Sequence, residues 1–403
     1  MKFNKWTLGL AALGAVSLTS VAQAEEKMLL GSQAELTSTT ISGYVSASAA
    51  WDFGKGNELA NTRGYSYSAG KGDGFSLDVV DLTLEKALDE SEWAAGYKAE
   101  FWFGPDATAL GSRFSGTGDV AIKQAYVSLR TPVGNGIDWK IGVFDTIIGY
   151  ESSNAGDNPN YTRSWGYSIE PTQHTGILGT YRFSDAIAVT FGIANTWNAT
   201  INGRDSGNLD TASTVMGSIS LTAPESFGFL HGGSLYAGFV SGKQSAPAAT
   251  DQAIRNSYYV GATVPTPVEG LKAGVAFDYV DLNEGNPTYN NSSSSALAAY
   301  LSFAATEKLT LHTRVDYLQL GGDGLTTTAA GSNLLGNPAF GAGDDFLTTT
   351  ITADYQLWKN VISRVEFRWD HDLDEGSATA GDHFRSGTHT DEMSLMANFI
   401  YKF

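Results

Sequence analysis

From about residue 39 to Phe403 the chain consists of sixteen runs in which apolar and polar residues alternate, with gaps between them that alternate long and short. A period of two sends successive side chains to opposite faces of a strand. In the last run, Glu392 to Phe403, one face holds Met393, Leu395, Ala397, Phe399, Tyr401 and Phe403. The other holds Ser394, Met396, Asn398 and Lys402, with Ile400 as the one apolar intruder. Strands of about ten residues, polar on one side and without core helices between them, specify an all-β fold, a transmembrane antiparallel β-barrel with lipid outside and water inside. A soluble sandwich or propeller would also bury one face, but it has no need of strands this long or this numerous.

The strands are expected at 39–53, 75–86, 93–103, 120–130, 138–145, 176–183, 186–197, 214–223, 234–241, 255–264, 271–281, 294–304, 309–320, 346–357, 361–370 and 392–403. Short gaps such as Ser184-Asp185 and Trp358-Asn360 carry turn residues; long ones such as 146–175 and 321–345 are rich in Gly, Ser and Asp. Short periplasmic turns and long external loops are the rule for outer-membrane barrels. With both termini periplasmic, the first gap should be external and long, and it is. Aromatics gather near strand ends, at Trp51, Phe53, Phe101, Phe103, Tyr355, Trp358, Phe367, Trp369, Tyr401 and Phe403, as interfacial girdles require. In 75–86 the alternation breaks, and a bulge near Val79-Val80 would restore it.

The N-terminus fits an exported chain. Lys2 and Lys5 precede an apolar stretch from Trp6 to Leu18, and Ala22-Gln23-Ala24 forms a small-x-small cleavage site. Residues 1–24 therefore read as a cleaved signal peptide, 25–38 as a short periplasmic segment and 39–403 as the barrel. No later apolar run is long enough for a membrane helix. There is no cysteine, so disulfides and thiolate metal sites are excluded. Net charge is -18, and loss of the two leader lysines deepens it to -20, which argues against nucleic acid as a partner.

Two features resemble a known family. Phe403, with apolar or aromatic residues at alternate positions before it, looks like the C-terminal assembly signal of Gram-negative outer-membrane proteins. Three segments resemble the β-barrel porin-2 family: Phe144-Asp145-Thr146-Ile147-Ile148-Gly149-Tyr150-Glu151, Asn160-Tyr161-Thr162-Arg163-Ser164 and Glu170-Pro171-Thr172-Gln173-His174-Thr175-Gly176. The resemblance implies a porin-like barrel in the outer membrane of a diderm bacterium, without giving a solute. The long third external segment also resembles that of general porins, where it folds inward and narrows the pore; their acidic motif is missing here.

No residue pattern points to an enzyme or a metal centre. Six histidines occur, at 174, 231, 312, 371, 383 and 389, and no G-x-S-x-G segment offers a nucleophile. Asp370, Asp372 and Asp374 alternate as in a calcium loop, but Glu375 and Gly381 break the EF-hand pattern. His371, His383 and His389 match no ligand spacing and read as an ordinary solvated loop. No cofactor is expected.

Charges on inward faces carry the functional signal, because charges facing lipid are costly. They are Arg182, Arg314 with Asp316, Asp354, and Arg364 with Glu366 and Arg368. Segment 146–175 adds Glu151, Asp157, Glu170 and Arg163, and the rings Tyr150, Tyr161, Trp165 and Tyr167. These groups are expected to line water, either as bracing salt bridges or as a transverse field, basic wall against acidic loop. Sixteen strands leave an aqueous lumen, so a passive channel for small hydrophilic solutes is expected. Alternatives are a substrate-selective channel, with loop rings stacking on saccharides, and a structural or adhesive barrel. Expected partners are outer-membrane lipid and lipopolysaccharide, the barrel-assembly machinery acting on Tyr401 and Phe403, and small solutes; a homotrimer is one assembly open to such a barrel. Acidic loops, as at Asp344-Asp345 and Asp370-Asp374, would give a modest cation preference unless Arg314, Arg364 and Arg368 line the narrowest point.

Overall fold

The computed structural model describes residues 28–29, 39–53, 73–109, 119–204, 214–243, 254–283, 292–321, 345–373 and 390–403. Its strands are β1 (Thr40–Asp52), β2 (Gly74–Lys86), β3 (Ala95–Phe103), β4 (Val120–Thr131), β5 (Ile137–Asp145), β6 (Gln173–Ser184), β7 (Ile187–Ala194) and β8 (Thr214–Thr222). The second half has β9 (Ser234–Lys243), β10 (Ile254–Pro265), β11 (Leu271–Asn283), β12 (Ser292–Ala304), β13 (Leu309–Gly321), β14 (Asp345–Trp358), β15 (Val361–Asp372) and β16 (Asp391–Lys402). Each strand pairs antiparallel with the next, and β16 pairs with β1 from Ser394–Asp52 to Lys402–Tyr44. The ring therefore closes with no open edge. Phe403 extends the seam, its N–H donating to Gly43 O and its carbonyl accepting from Gly43 N. Met28–Leu29 adds a two-residue pairing against β1. The remainder of 1–38, the expected signal peptide included, lies outside the described residues.

Burial is inverted relative to a water-soluble protein. Outward residues such as Ile351 (51 % exposed), Val365 (54 %) and Phe399 (52 %) are apolar, whereas Arg314, Glu366 and Arg368 are fully buried on the inner face. A hydrocarbon surround on the outside accounts for that inversion. Girdle residues Trp51, Phe53, Phe103, Tyr355, Trp358, Tyr401 and Phe403 are all exposed on the outer face.

All sixteen expected strands are present. β7 ends at Ala194, short of the expected 197, because Trp197 turns in and donates from Nε1 to Ser257 Oγ at 3.0 Å. The bulge in β2 lies one residue from its expected place: Ser46 pairs with Val79 and Ala47 with Leu77, leaving Asp78 as the extra residue. Asp78 and Val79 are both buried. The bulge thus aims the Asp78 carboxylate inward, where it accepts from Ser46 and Ser48 Oγ at 2.8 and 2.7 Å.

Candidate functional site

The third external connection, residues 146–172, folds into the barrel. Its backbone is held by wall side chains. Arg314 donates to Thr162 O at 2.8 Å and Arg163 O at 3.0 Å. Arg368 reaches Arg163 O at 2.8 Å, and Arg364 reaches Ala155 O and Asn158 O, each at 2.8 Å. Glu366 accepts from the N–H groups of Tyr161 and Thr162 at 2.6 and 3.0 Å, and Asp316 from that of Trp165 at 2.9 Å. A buried backbone outside regular structure needs such partners, because each unpaired polar group would cost about 1–3 kcal/mol.

Loop side chains complete the latch. Glu151 pairs with Arg314 at 3.0 Å and accepts from Tyr300 Oη and Ser164 N. Arg163 turns back on its own segment, donating to the carbonyls of Ser152, Tyr161 and Ser153. Lys402 donates to Gly156 O at 2.9 Å and meets Asp157 at 3.3 Å. Ser164 caps the helical turn Trp165–Ile169, accepting from Tyr167 N, and Trp165 Nε1 donates to Thr348 Oγ1 at 2.7 Å.

The first arm docks through apolar contact. Ile147, Ile148 and Tyr150 join Phe144, Leu178, Trp197, Met216, Tyr236, Val240, Tyr259 and Tyr300 in one buried cluster inside the barrel. Tyr150 stacks on Tyr300 with ring centroids 4.1 Å apart. Wall glycines make room: a Cβ on Gly274 would lie 2.0 Å from Tyr150 Oη, and one on Gly238 2.9 Å from Ile148. Gly149, at φ +114°, turns the chain where any side chain would strike the Glu170 carboxyl.

Counted by strand, these contacts touch β1, β2 and all of β9–β16, the last through Tyr236, Thr263, Asp278, Tyr300, Arg314, Thr352, Arg364 and Lys402. These polar contacts run along ten adjacent strands, and the apolar cluster of the first arm reaches further, to Met216 on β8 and Leu178 on β6.

This placement corrects the sequence reading. Arg314, Asp316, Arg364, Glu366 and Arg368 were expected to line water; each is at most 1 % exposed, covered by the segment. Arg163 and Glu151 are buried with them. The expected field between basic wall and acidic loop is here a set of direct contacts, Glu151 on Arg314, with wall carboxylates taking the rest: Asp316 on Arg314, Asp354 on Arg364 and Asp370 on Arg368. Asp157 and Asp354 stay partly exposed beside their lysine and arginine. Arg182 lies apart, on β6 near the turn to β7, with Asp138 at 2.9 Å. Of the loop aromatics, Tyr150 and Trp165 are buried, Tyr161 Oη is bonded to Ser48 and Asp78, and Tyr167 Oη to Ser153. Asp344, Asp374, His383 and His389 lie outside the described residues, and no metal-ligand cluster occurs among those described.

Glu170 meets another carboxyl group, Asp278, rather than a wall cation. Burial, then the Asp278 charge, pushes Glu170 well above the usual carboxylate range. Docking thus favours the protonated form. That contribution is full at low pH and is lost as pH rises through the raised value. Alkaline solution is expected to loosen the segment, seen as larger or noisier single-channel steps, and Glu170→Gln should flatten the dependence. A wild-type conductance flat from neutral to alkaline pH would contradict this.

On the opposite wall the sequence reading singled out Arg182 and passed over Lys123, Arg130, Asp138 and Lys140. In a ring of sixteen, β4 and β5 face β12 and β13. The inner side of β3–β6 carries Lys98 with Glu100 at 2.8 Å, Lys123 with Asp145, and Arg130 and Arg182 sharing Asp138. Lys140 lies with Nζ 4.9 Å from the centroid of the Tyr126 ring. The period-two pattern puts Lys140 inside, between outward Trp139 and Ile141, so the signal was present.

A closed barrel, apolar outside and charged inside, with a long segment folded into its lumen, defines a porin of the Gram-negative outer membrane. The family described as "Putative beta-barrel porin-2, OmpL-like" matches residues 38–403, and the chain belongs to it. No curated protein matches the chain in sequence. Among solved structures, the fold is similar to the anion-selective porin from Comamonas acidovorans, with TM-score 0.60 and 12 % identity over 91 % of this chain and 99 % of that one. It is also similar to the outer membrane channel DcaP of Acinetobacter baumannii, with TM-score 0.59 and 12 % identity over 91 % and 97 % of the two chains. A third is the trimer form of OmpT from Vibrio cholerae, with TM-score 0.56 and 13 % identity over 91 % and 99 %.

Proposed function

We propose that small hydrophilic solutes cross this porin passively, through the part of the lumen bounded by the docked segment and by β3–β8. The observation that carries the reading is the one-sided docking of 146–172, whose hydrogen bonds to the wall run mainly over β9–β16, β1 and β2 and so narrow the lumen toward the charged inner face of β3–β6. In planar bilayers the purified protein should give steady ohmic steps. Silence would favour a structural or adhesive barrel, and small steps blocked by one sugar a saccharide channel. The buried rings of Tyr150 and Trp165 do not favour that last reading, since stacking on a sugar needs an open face. Channel chemistry accounts for these residues without a catalytic role.

The same reading includes cleavage after Ala24, lipopolysaccharide as a neighbour and assembly as a homotrimer, as in the trimer form of the Vibrio cholerae OmpT neighbour. It also gives Tyr401 and Phe403 a part in assembly. Both are exposed outward, and the Phe403 backbone closes the seam against Gly43. Deleting Phe403 should sharply reduce the heat-modifiable barrel recovered from the outer membrane; normal recovery would remove this role.

A further inference from the structure

We infer that Lys140 is the centre of an anion-binding subsite in the conduit, receiving a carboxylate or phosphate group of a passing solute. The inference rests on the channel reading above. Its ground is a contrast among enclosed cations. Arg314, Arg364, Arg368, Lys98, Lys123, Arg130 and Arg182 each hold a carboxylate. Lys140 is half-buried on the same inner surface, forms no ion pair among the described residues, and lies over the Tyr126 ring. An ammonium has three donors and no acceptor, and a ring face engages its charge without taking up those donors.

Its surroundings favour an anion over another role. Lys140 pairs in register with Ser128 on β4 and Leu178 on β6. One step along the ladder, Arg130 and Arg182 converge on the single carboxylate of Asp138. One step the other way lies Tyr126, whose register partner on β3 is Lys98, already held by Glu100. The other carboxylates on this face are Glu85, in register with Lys98, and Asp145, bound to Lys123. Lys140 thus stands between cations, with Asp145 and Glu85 acting on it from beyond ion-pair distance. Low-dielectric walls concentrate counter-ions at such a point.

The test uses the full-length protein in planar bilayers, with potassium chloride gradients and inorganic phosphate as the probe. Lys140→Gln should move the reversal potential toward cation selectivity. It should also raise the phosphate concentration for half-block on the order of tenfold, as expected for loss of one charge-assisted contact. Lys140→Arg should retain both properties, and Lys272→Gln, at the exposed end of β11, should leave them unchanged. Should Lys140→Gln fail to insert, Lys140→Met keeps the stem and repeats the test. A conducting variant with unchanged reversal potential and unchanged block overturns the subsite. Absence of conductance in the wild type would instead overturn the channel reading itself.

Discussion

Replacing Arg314 with alanine is expected to destabilise the docked barrel by about 3–5 kcal/mol and to turn a steady pore into a fluctuating one. The guanidinium holds Glu151 and Asp316, each at 3.0 Å, together with the carbonyls of Thr162 and Arg163. Its removal leaves two buried carboxylates without the cation that joins them. If the segment stays docked, the full cost falls on stability. If it swings away, water reaches both carboxylates and the cost falls, but the lumen widens. The loss should therefore divide between a lower temperature for the heat-modifiability transition and frequent steps to higher conductance. Arg314→Lys should recover the charge but little of the stability, because an ammonium cannot span six acceptors as the planar fork does. A variant with wild-type melting and quiet recordings would show that the ion pairs do not hold the segment.

Deleting Ser152 to Ile169 should raise single-channel conductance several-fold while all sixteen strands still close. The strand ladder does not pass through this segment. The groups it covers, from Asp316 to Arg368, would be rehydrated rather than left dry, so the penalty per group stays well below that of a sealed core. The deletion should nevertheless melt earlier than the wild type, since Arg364, Glu366 and Lys402 near one side of the seam, and Tyr44 and Ser48 on the other, share partners within it. Unchanged conductance in a folded deletion variant would place the segment outside the current path.

The barrel was legible because its determinant is local. A period of two needs no knowledge of what lies across the lumen, and the strand limits moved only where another force intervened, as at Trp197. The inner charges were legible as inward for the same reason. What they touch was not, because the partner of Arg364 is the carbonyl of Ala155, 209 positions earlier in the chain. Backbone carbonyls also leave no trace in composition. A signal for docking did exist in the breaks of the pattern. Ile400, Val240, Leu178, Met216 and Val79 are apolar yet face inward, and all are buried, most beneath the segment's arm or beside Ala155. Gly238 and Gly274 mark the same seats by having no side chain. An inward apolar residue in a strand that should face water is a request for a cover.

The seam between β16 and β1 has a consequence for the order of events during biogenesis. Residues 155–162 bond to Tyr44 and Ser48, among the first parts of the barrel to leave the exporting machinery, and to Lys402, the last strand residue to do so. Gly156 must wait for a partner 246 positions behind it. Until that partner arrives, half of the latch can form, and the inner surface of the early strands is a polar face without its cover. Completion of the ring and seating of the segment are thus one event in time. A chain stalled before its last strand would carry an untethered middle as well as an open edge.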